Sequence, residues 1–250
     1  MEKRVEPQKV ALFVIGEEVL RGEVEDKNTP YFIRELHDLG VTISIACILP
    51  DSIHVISQLI AAFLDDVDYL ILTGGIGPTP DDVTREAVAF ALGLPLVTDL
   101  YAKRVLEDFY GDDISEARMK MAIVPVGSEL IPNPVSSAPG FLCGKVMVFP
   151  GIPELIEKMF PMARKFFKKV SITRGIFYLK SGESTFSDIM EGLMDKYGDL
   201  SIGSYPSFAP GYRVRIVVRG TEVEKVTRCI MDFEQELLER GIEIIKKEYE

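Results

Sequence analysis

Glycines and acidic residues follow the predicted strands, and this combination suits the binding of a phosphate group together with a metal ion. The clearest segment is Thr73-Gly74-Gly75-Ile76-Gly77, which ends an apolar run and precedes Asp81 and Asp82. Glycine lets the backbone turn tightly and aim N–H groups at an anion. Carboxylates would repel a phosphate unless a divalent cation lies between them. The segment therefore indicates either a phosphate site with a metal ion or an ordinary tight turn between a strand and a helix.

The segment Thr79-Pro80-Asp81-Asp82 has a second interpretation as the start of a helix. A threonine N-cap, a proline at the first helical position and an acid near the third are typical of helix N-termini. This interpretation predicts a helix from Pro80 to near Gly93, whose positive end would favour an anion. Asp82 is thus either a capping residue or a ligand.

Three further polar residues, Asp51, Glu18 and Asn28, also allow a structural interpretation. Asp51 is well placed to cap a helix that runs to about Leu64, and Asn28 is placed to cap another. Glu18 is typical of a solvated loop acid. In the functional interpretation, Asp51 and Asp82 ligate a metal ion or accept a proton from water.

These residues are positioned by apolar strands that alternate with amphipathic helices over residues 1–170, a pattern typical of a parallel sheet covered on both faces. The predicted strands are 9–16, 41–50, 68–75, 128–131 and 141–149. Loops at the carboxyl ends of parallel strands lie along one edge of a sheet. We therefore expect segments 16–18, 50–51, 73–77 and 150–154 to form one pocket for a negatively charged small molecule.

The pattern changes at residue 171 to strand, helix, strand, strand, helix, strand. This order predicts a smaller α+β domain over residues 171–250, following a mostly parallel α/β/α domain over residues 1–170.

Charge and composition exclude several classes of protein. The net charge is −11, and both predicted domains are net acidic, which disfavours nucleic acid as a partner. Residues 171–250 contain no GxxG motif for gripping RNA. No apolar run approaches the ~18 residues of a membrane span, and the start lacks the pattern of a secretory signal. Three scattered cysteines form no disulfide framework. We expect a cytoplasmic protein without a membrane partner.

Four ordered segments resemble the molybdopterin-binding-like (MoCF) domain of CinA-type proteins and of eukaryotic FAD synthases: IGEEVLRGEVEDKN, TGGIGPTPDDVTREA, NPVSSAPGF and VFPGIPELIEKMF. Residues 171–250, with GESTFSDIMEGL, resemble the KH-like middle domain of the same family. The resemblance implies a three-layer α/β/α fold. No segment resembles the family's amidase domain, so deamidation of nicotinamide mononucleotide is not expected.

The resemblance also implies which residues form the site. The implied ligand- or phosphate-binding positions are Thr73, Gly74, Gly75, Gly77, Ser137, Gly151, Pro153 and Glu154. Glu18 and Asn28, in the first of the four segments, are further candidate ligand-binding residues. Asp51 and Asp82 match acids that the family links to activity or metal handling, and Asp81 is a third candidate metal ligand.

Three functions remain open. The first, implied by the CinA-type branch, is a pyrophosphatase that uses magnesium, manganese or cobalt to hydrolyse ADP-ribose or FAD-like dinucleotides. The second is a protein that binds or adenylylates molybdopterin. The third is a non-catalytic nucleotide-binding protein. The additional small domain favours the first, and the family implies a homo-oligomer, a dimer or larger.

Overall fold

The computed structural model describes residues 6–208 and 210–249, which divide into two compact units. The larger unit covers residues 7–169. Its strands are β1 (Lys9–Ile15), β2 (Thr42–Leu49), β3 (Tyr69–Thr73), β4 (Leu96–Thr98), β5 (Ile123–Pro125), β6 (Glu129–Ile131), β7 (Gly140–Cys143) and β8 (Val146–Phe149). Its α-helices are α1 (Glu17–Leu20), α2 (Asn28–Asp38), α3 (Ile53–Phe63), α4 (Thr84–Leu92), α5 (Leu100–Tyr110), α6 (Glu116–Met119) and α7 (Pro153–Ala163).

The central sheet has the strand order β2-β1-β3-β8-β7-β6. The four neighbours β2, β1, β3 and β8 are parallel, whereas β7 is antiparallel to both β8 and β6. In the sheet, β2 lies on one side of β1, and the next strand along the chain, β3, lies on the other side of β1. Such a reversal of strand order opens a crevice at the carboxyl ends of the strands.

Both faces of the sheet are buried, which confirms the three-layer prediction. In β1, Phe13 packs with apolar residues of α3 and α4, whereas Leu12 packs with Phe32 of α2 and Phe160 of α7. Successive side chains of a strand point to opposite faces. An uninterrupted apolar strand is therefore covered by helices on both sides and holds its terminal loops in fixed positions.

The structure corrects the predicted start of α4. This helix begins at Thr84, with Val83 as its N-cap residue, instead of at Pro80. The interpretation of Thr79–Asp82 as a helix N-terminus is therefore wrong. The predicted end is confirmed, because Gly93 terminates the helix with a φ of 65°, a left-handed conformation that glycine adopts readily.

Two other predictions about elements are also wrong. Asp51 does not cap α3, because Ser52 is the N-cap residue and its Oγ accepts the Val55 N–H at 3.5 Å. Segment 141–149 is not one strand but the hairpin of β7 and β8, which reverses at Gly144 with a φ of 58°. The short pair β4 and β5 is additional, and three residues per strand are too few for a recognisable alternation.

The smaller unit has the predicted order of elements. They are β9 (Thr173–Leu179), α8 (Ser187–Lys196), β10 (Ser201–Pro206), β11 (Val214–Gly220), α9 (Val223–Glu239) and β12 (Ile244–Tyr249). The sheet is antiparallel with the order β10-β11-β9-β12, which is the split β-α-β arrangement. Its apolar core combines one face of the sheet with residues of α8 and α9, such as Phe177, Ile189 and Phe233.

Candidate functional site

Loops from the ends of β1, β2, β3 and β8 line one cavity of about 690 Å³ in the larger unit. The sequence-predicted residues that line it are Glu18, Asp51, Gly74, Gly75, Gly77, Asp81, Asp82, Gly151 and Pro153. These residues come from segments more than 100 positions apart. The volume lies within the roughly 300–1,000 Å³ of small-molecule sites.

The glycine loop, residues Gly74–Gly77, lines this cavity and contains two backbone N–H groups that donate to no described residue. The Oγ of Thr84 donates to the Gly74 carbonyl at 2.9 Å, and the Thr84 N–H donates to the Gly75 carbonyl at 3.0 Å. In a trans peptide the next N–H points away from its carbonyl. The N–H groups of Gly75 and Ile76 consequently point away from α4, and neither donates to another described residue. Two adjacent N–H groups of this kind are suited to bind an anion.

The backbone conformation of the loop requires glycine at positions 74 and 75. This requirement supports the interpretation of these two glycines as parts of a tight turn. Gly74 and Gly75 have φ values of 97° and 65°. A Cβ atom on Gly74 would lie 2.2 Å from the Ile15 carbonyl oxygen, and one on Gly75 would lie 2.2 Å from the Thr84 Oγ. Any larger residue would displace the loop, with or without a ligand.

Asp82 holds the far end of the glycine loop. Its Oδ1 accepts the Gly77 N–H at 2.6 Å, and its Oδ2 accepts the N–H and the hydroxyl of Thr79 at 2.8 and 2.6 Å. Both carboxylate oxygens are therefore already hydrogen-bonded within the loop. The geometry assigns Asp82 a positioning role, although its side chain also lines the cavity.

Asp51 links the first two loops of the site. Its Oδ2 accepts the Glu17 N–H at 2.9 Å, across 34 residues of sequence, and its Oδ1 accepts no hydrogen bond from a described residue. Partial burial, followed by the nearby charges of Glu18, Asp81 and Glu17, raises the pKa of Asp51 above its ordinary value, against the opposing effect of the Glu17 N–H. Asp51 is therefore a more basic carboxylate than a solvated aspartate.

Asn28 lies behind the cavity and joins two of its loops. It is only 6% exposed, and its Nδ2 donates to the Gly151 carbonyl at 2.8 Å and to the Thr73 hydroxyl at 3.3 Å. The capping interpretation of this side chain is wrong, because Asp26 accepts the first N–H groups of α2. Asn28 and Thr73 do not line the cavity but hold its walls together.

The N-terminus of α7 forms another wall. Gly151, Ile152 and Pro153 line the cavity, and a helix N-terminus of this length carries a partial positive charge. Glu154, in the first turn of α7, is not part of the lining. Ser137 is also outside the lining and has a φ of 61°, whereas its neighbour Ser136 lines the cavity.

The charged lining is mainly acidic. Its carboxylates are Glu18, Asp51, Asp81 and Asp82. Arg118 is the one cationic side chain among the described residues of the lining, and its guanidinium lies 4.3 Å from the ring centre of Tyr110. An anionic ligand would meet repulsion at this wall unless a cation accompanied it.

The protein alone does not form a closed metal site. Within residues 6–208 and 210–249, no three histidine, cysteine, aspartate or glutamate side chains form a group that could hold a metal ion. Magnesium commonly binds through one or two carboxylates together with phosphate oxygens of a ligand. Asp51, with its unpaired Oδ1, and the exposed Asp81 fit this incomplete donor set.

Three functional candidates were not predicted from the sequence: Thr84, Arg85 and Arg118. Thr84 and Arg85 donate hydrogen bonds to carbonyl groups of the glycine loop, and both residues are buried. They follow the motif directly, but only the late start of α4 places them against the loop. Arg118 comes from a segment without any recognisable motif, so no signal in a single sequence identifies it.

Comparisons with known families match almost the entire chain. Residues 11–169 match the model described as "Probable molybdopterin binding domain", and residues 171–245 match "FAD synthase, middle domain". These two matches fall on either side of the boundary between the two compact units.

Individual relatives agree with these matches. A protein of Archaeoglobus fulgidus is 30% identical over 221 residues, which are 88% of this chain and 94% of that protein. A CinA-like protein of Thermotoga neapolitana is 30% identical over 245 residues, which are 94% of this chain but 58% of that protein. The chain thus spans little more than half the length of the Thermotoga relative. The crystal structure of CinA from Thermoplasma acidophilum superposes with a TM-score of 0.61 at 29% identity, covering 64% of this chain and 99% of that one.

None of the described helices is both long and apolar enough to cross a lipid bilayer.

Proposed function

The chain belongs to the family of probable molybdopterin binding domains, and on this premise we propose that its cavity binds a nucleotide-like phosphate ester and hydrolyses a diphosphate bond in it. The substrate class is a dinucleotide such as ADP-ribose or FAD. The proposal depends chiefly on one observation: Gly75 and Ile76, whose N–H groups have no described partner, line a single cavity of about 690 Å³ together with the N-terminus of α7.

The rest of the lining suits an aromatic ring attached to the phosphate. Apolar side chains from several loops surround the polar elements, including Ile15, Val24, Met121, Ile152 and Leu155. A planar heterocycle gains binding energy from contact with such surfaces, and the few polar groups fix its orientation. The match of residues 171–245 to a domain of FAD synthase supports a ligand of the nucleotide type.

In the proposed reaction, water attacks one phosphorus of the diphosphate, and the bond to the bridging oxygen breaks. The glycine-loop N–H groups hold a phosphate oxygen on which charge increases during the attack. The Asp51 carboxylate lies at the cavity wall with Oδ1 unpaired and accepts the proton of the attacking water. A divalent cation held by the diphosphate and Asp81 would neutralise phosphate charge.

The test is release of AMP from ADP-ribose, FAD and NAD in the presence of magnesium, manganese or cobalt. Asp51→Asn should lose turnover but retain ligand binding, because an amide keeps the Glu17 contact. Asp82→Asn should weaken both, because its amide nitrogen cannot accept the hydrogen bonds that one carboxylate oxygen accepts from Thr79 in the loop. Full turnover by Asp51→Asn, or no product from the wild type with any metal, would contradict the proposal.

A second candidate function is the binding of molybdopterin, which the family description itself favours. The same N–H groups would hold the phosphate of the pterin, and the apolar lining would receive its ring. Co-purification of a fluorescent pterin with the protein, or tighter binding of a pterin phosphate than of AMP, would favour this function over the first.

A further inference from the structure

Arg85 is a buried cation directly beneath the glycine loop. The residue is 4% exposed and lies in the first turn of α4. Its Nη2 donates to the Ile76 carbonyl and its Nη1 donates to the Gly77 carbonyl at 3.3 Å. Its Nε is buried without a hydrogen-bond partner in the described part of the chain. The guanidinium is therefore bonded to neutral carbonyl groups and not to a carboxylate.

Such a placement is costly for stability, because burial removes the guanidinium from water and neutral carbonyls do not cancel its charge. Burial accordingly lowers the pKa of Arg85 to about 10, while the nearby acids Glu86 and Asp82 oppose the shift. The group still carries its charge at neutral pH. The positive charge is bonded to the Ile76 and Gly77 carbonyls, which directly follow the two loop N–H groups that have no described partner, those of Gly75 and Ile76.

We propose that Arg85 is a positioning residue whose buried charge makes the glycine loop selective for an anionic group. The inference rests on the proposed function, since it concerns the same cavity. Arg85 acts in two ways. Its hydrogen bonds turn the Ile76 and Gly77 carbonyls away from the cavity, and its field offsets the repulsion that Glu18, Asp51, Asp81 and Asp82 exert on a phosphate.

This role differs from that of Arg118. Arg118 lines the cavity and stacks on Tyr110, so it would contact a ligand directly and in competition with water. Arg85 does not line the cavity. Its effect is transmitted through the peptide groups of the loop, where little water screens it.

The experiment separates the charge of Arg85 from its hydrogen bonds. Arg85→Lys keeps a charge but has a different geometry, whereas Arg85→Met removes the charge at similar length. Arg85→Gln is a second uncharged variant, which can still donate to one carbonyl if the methionine variant does not fold. Arg34→Met is the matched control, because Arg34 is exposed on α2 and does not line the cavity.

Binding of AMP and of adenosine to the intact chain is measured by calorimetry at a fixed magnesium concentration. The quantity compared is the ratio of the two dissociation constants, which reports the contribution of the phosphate. In the wild type, AMP should bind at least about tenfold more tightly than adenosine, and Arg85→Met or Arg85→Gln should lower this ratio about tenfold. Arg85→Lys should weaken both ligands together and change the ratio by less than about threefold. Arg34→Met should leave it unchanged.

Two results would overturn the inference. If the uncharged variants weaken AMP and adenosine equally, or leave both unchanged, Arg85 does not confer selectivity for an anion. If the wild type itself binds AMP no better than adenosine, or binds neither, the proposed phosphate site is wrong and the inference falls with it. The wild-type ratio alone distinguishes the two failures.

Discussion

Asn28 offers the sharpest test of how the cavity is assembled, because its buried side chain bonds a carbonyl that lies 123 residues away in sequence. Replacing it with alanine removes two hydrogen bonds, to the Gly151 carbonyl and to the Thr73 hydroxyl. Each bond contributes about 1 kcal/mol, and a carbonyl left buried without a partner costs about 1–3 kcal/mol. The variant also removes the buried and unpartnered Oδ1 of Asn28, which offsets part of this loss. We expect the free energy of unfolding to fall by about 2–3 kcal/mol.

Asn28→Asp has the same shape and gives a prediction with a distinct pH dependence. The substitution exchanges the Nδ2 donor for an oxygen that faces the Gly151 carbonyl. Burial then favours the protonated carboxyl in the folded state and raises its pKa above the unfolded value of about 3.9. The native state binds the additional proton, so the free energy of unfolding falls as pH rises. The loss is about 1.4 kcal/mol per pH unit between the unfolded and the folded pKa.

Urea unfolding of the intact chain at pH 5 and pH 7.5 measures both effects. Circular dichroism and tyrosine fluorescence are suitable signals, since the chain has nine tyrosines and no tryptophan. Gln58→Ala, at an exposed position of α3, is the control and should change stability by less than about 0.5 kcal/mol. The bridging role of Asn28 is refuted if Asn28→Ala behaves like Gln58→Ala, or if Asn28→Asp follows the pH dependence of the wild type.

Three other predictions test the loops and charges of the site. Asp51→Asn should raise the thermal unfolding midpoint at pH 7.5, because the raised pKa of Asp51 means that folding disfavours its ionised form. The increase in the midpoint should become smaller toward pH 4, and an increase that is independent of pH would contradict this reasoning. Gly74→Ala should lower the free energy of unfolding in urea by about 3 kcal/mol or more, since the new Cβ would overlap a backbone oxygen. Gly93→Ala should lower it by only about 1 kcal/mol, because Gly93 also has a positive φ but has open space around it. Equal losses would show that the close approach is unimportant. Arg118→Ala should weaken AMP binding about tenfold in calorimetry. An unchanged affinity would show that Arg118 does not contact the ligand.

Most of the architecture follows from local patterns in the sequence. Continuous apolar runs such as residues 10–15 predict buried parallel strands, and amphipathic segments between them predict covering helices. Glycines and acids at the strand ends, including Gly75 and Asp51, predict where the cavity lies, because the carboxyl ends of parallel strands share one edge. These inferences need only the type and spacing of neighbouring residues.

The partners of the site residues depend on which segments become neighbours in space. Asp51 and Asn28 both fit a helix cap by local sequence, yet Asp51 binds the Glu17 N–H and Asn28 bridges Thr73 and Gly151. Local propensity cannot distinguish these outcomes, since a capping bond and a distant hydrogen bond satisfy the same polar atoms.

Local sequence patterns are enough to place β1, β2, β3 and β6 and to identify the residue types at the edge where the cavity forms. The start of α4 at Thr84 depends on three-dimensional packing, and it brings Thr84 and Arg85 into hydrogen-bond contact with the carbonyl groups of the glycine loop. The physical reason is that a backbone N–H or carbonyl is directed by the group that satisfies the other side of its peptide. For the glycine loop those groups come from a helix whose position is set by packing against the sheet.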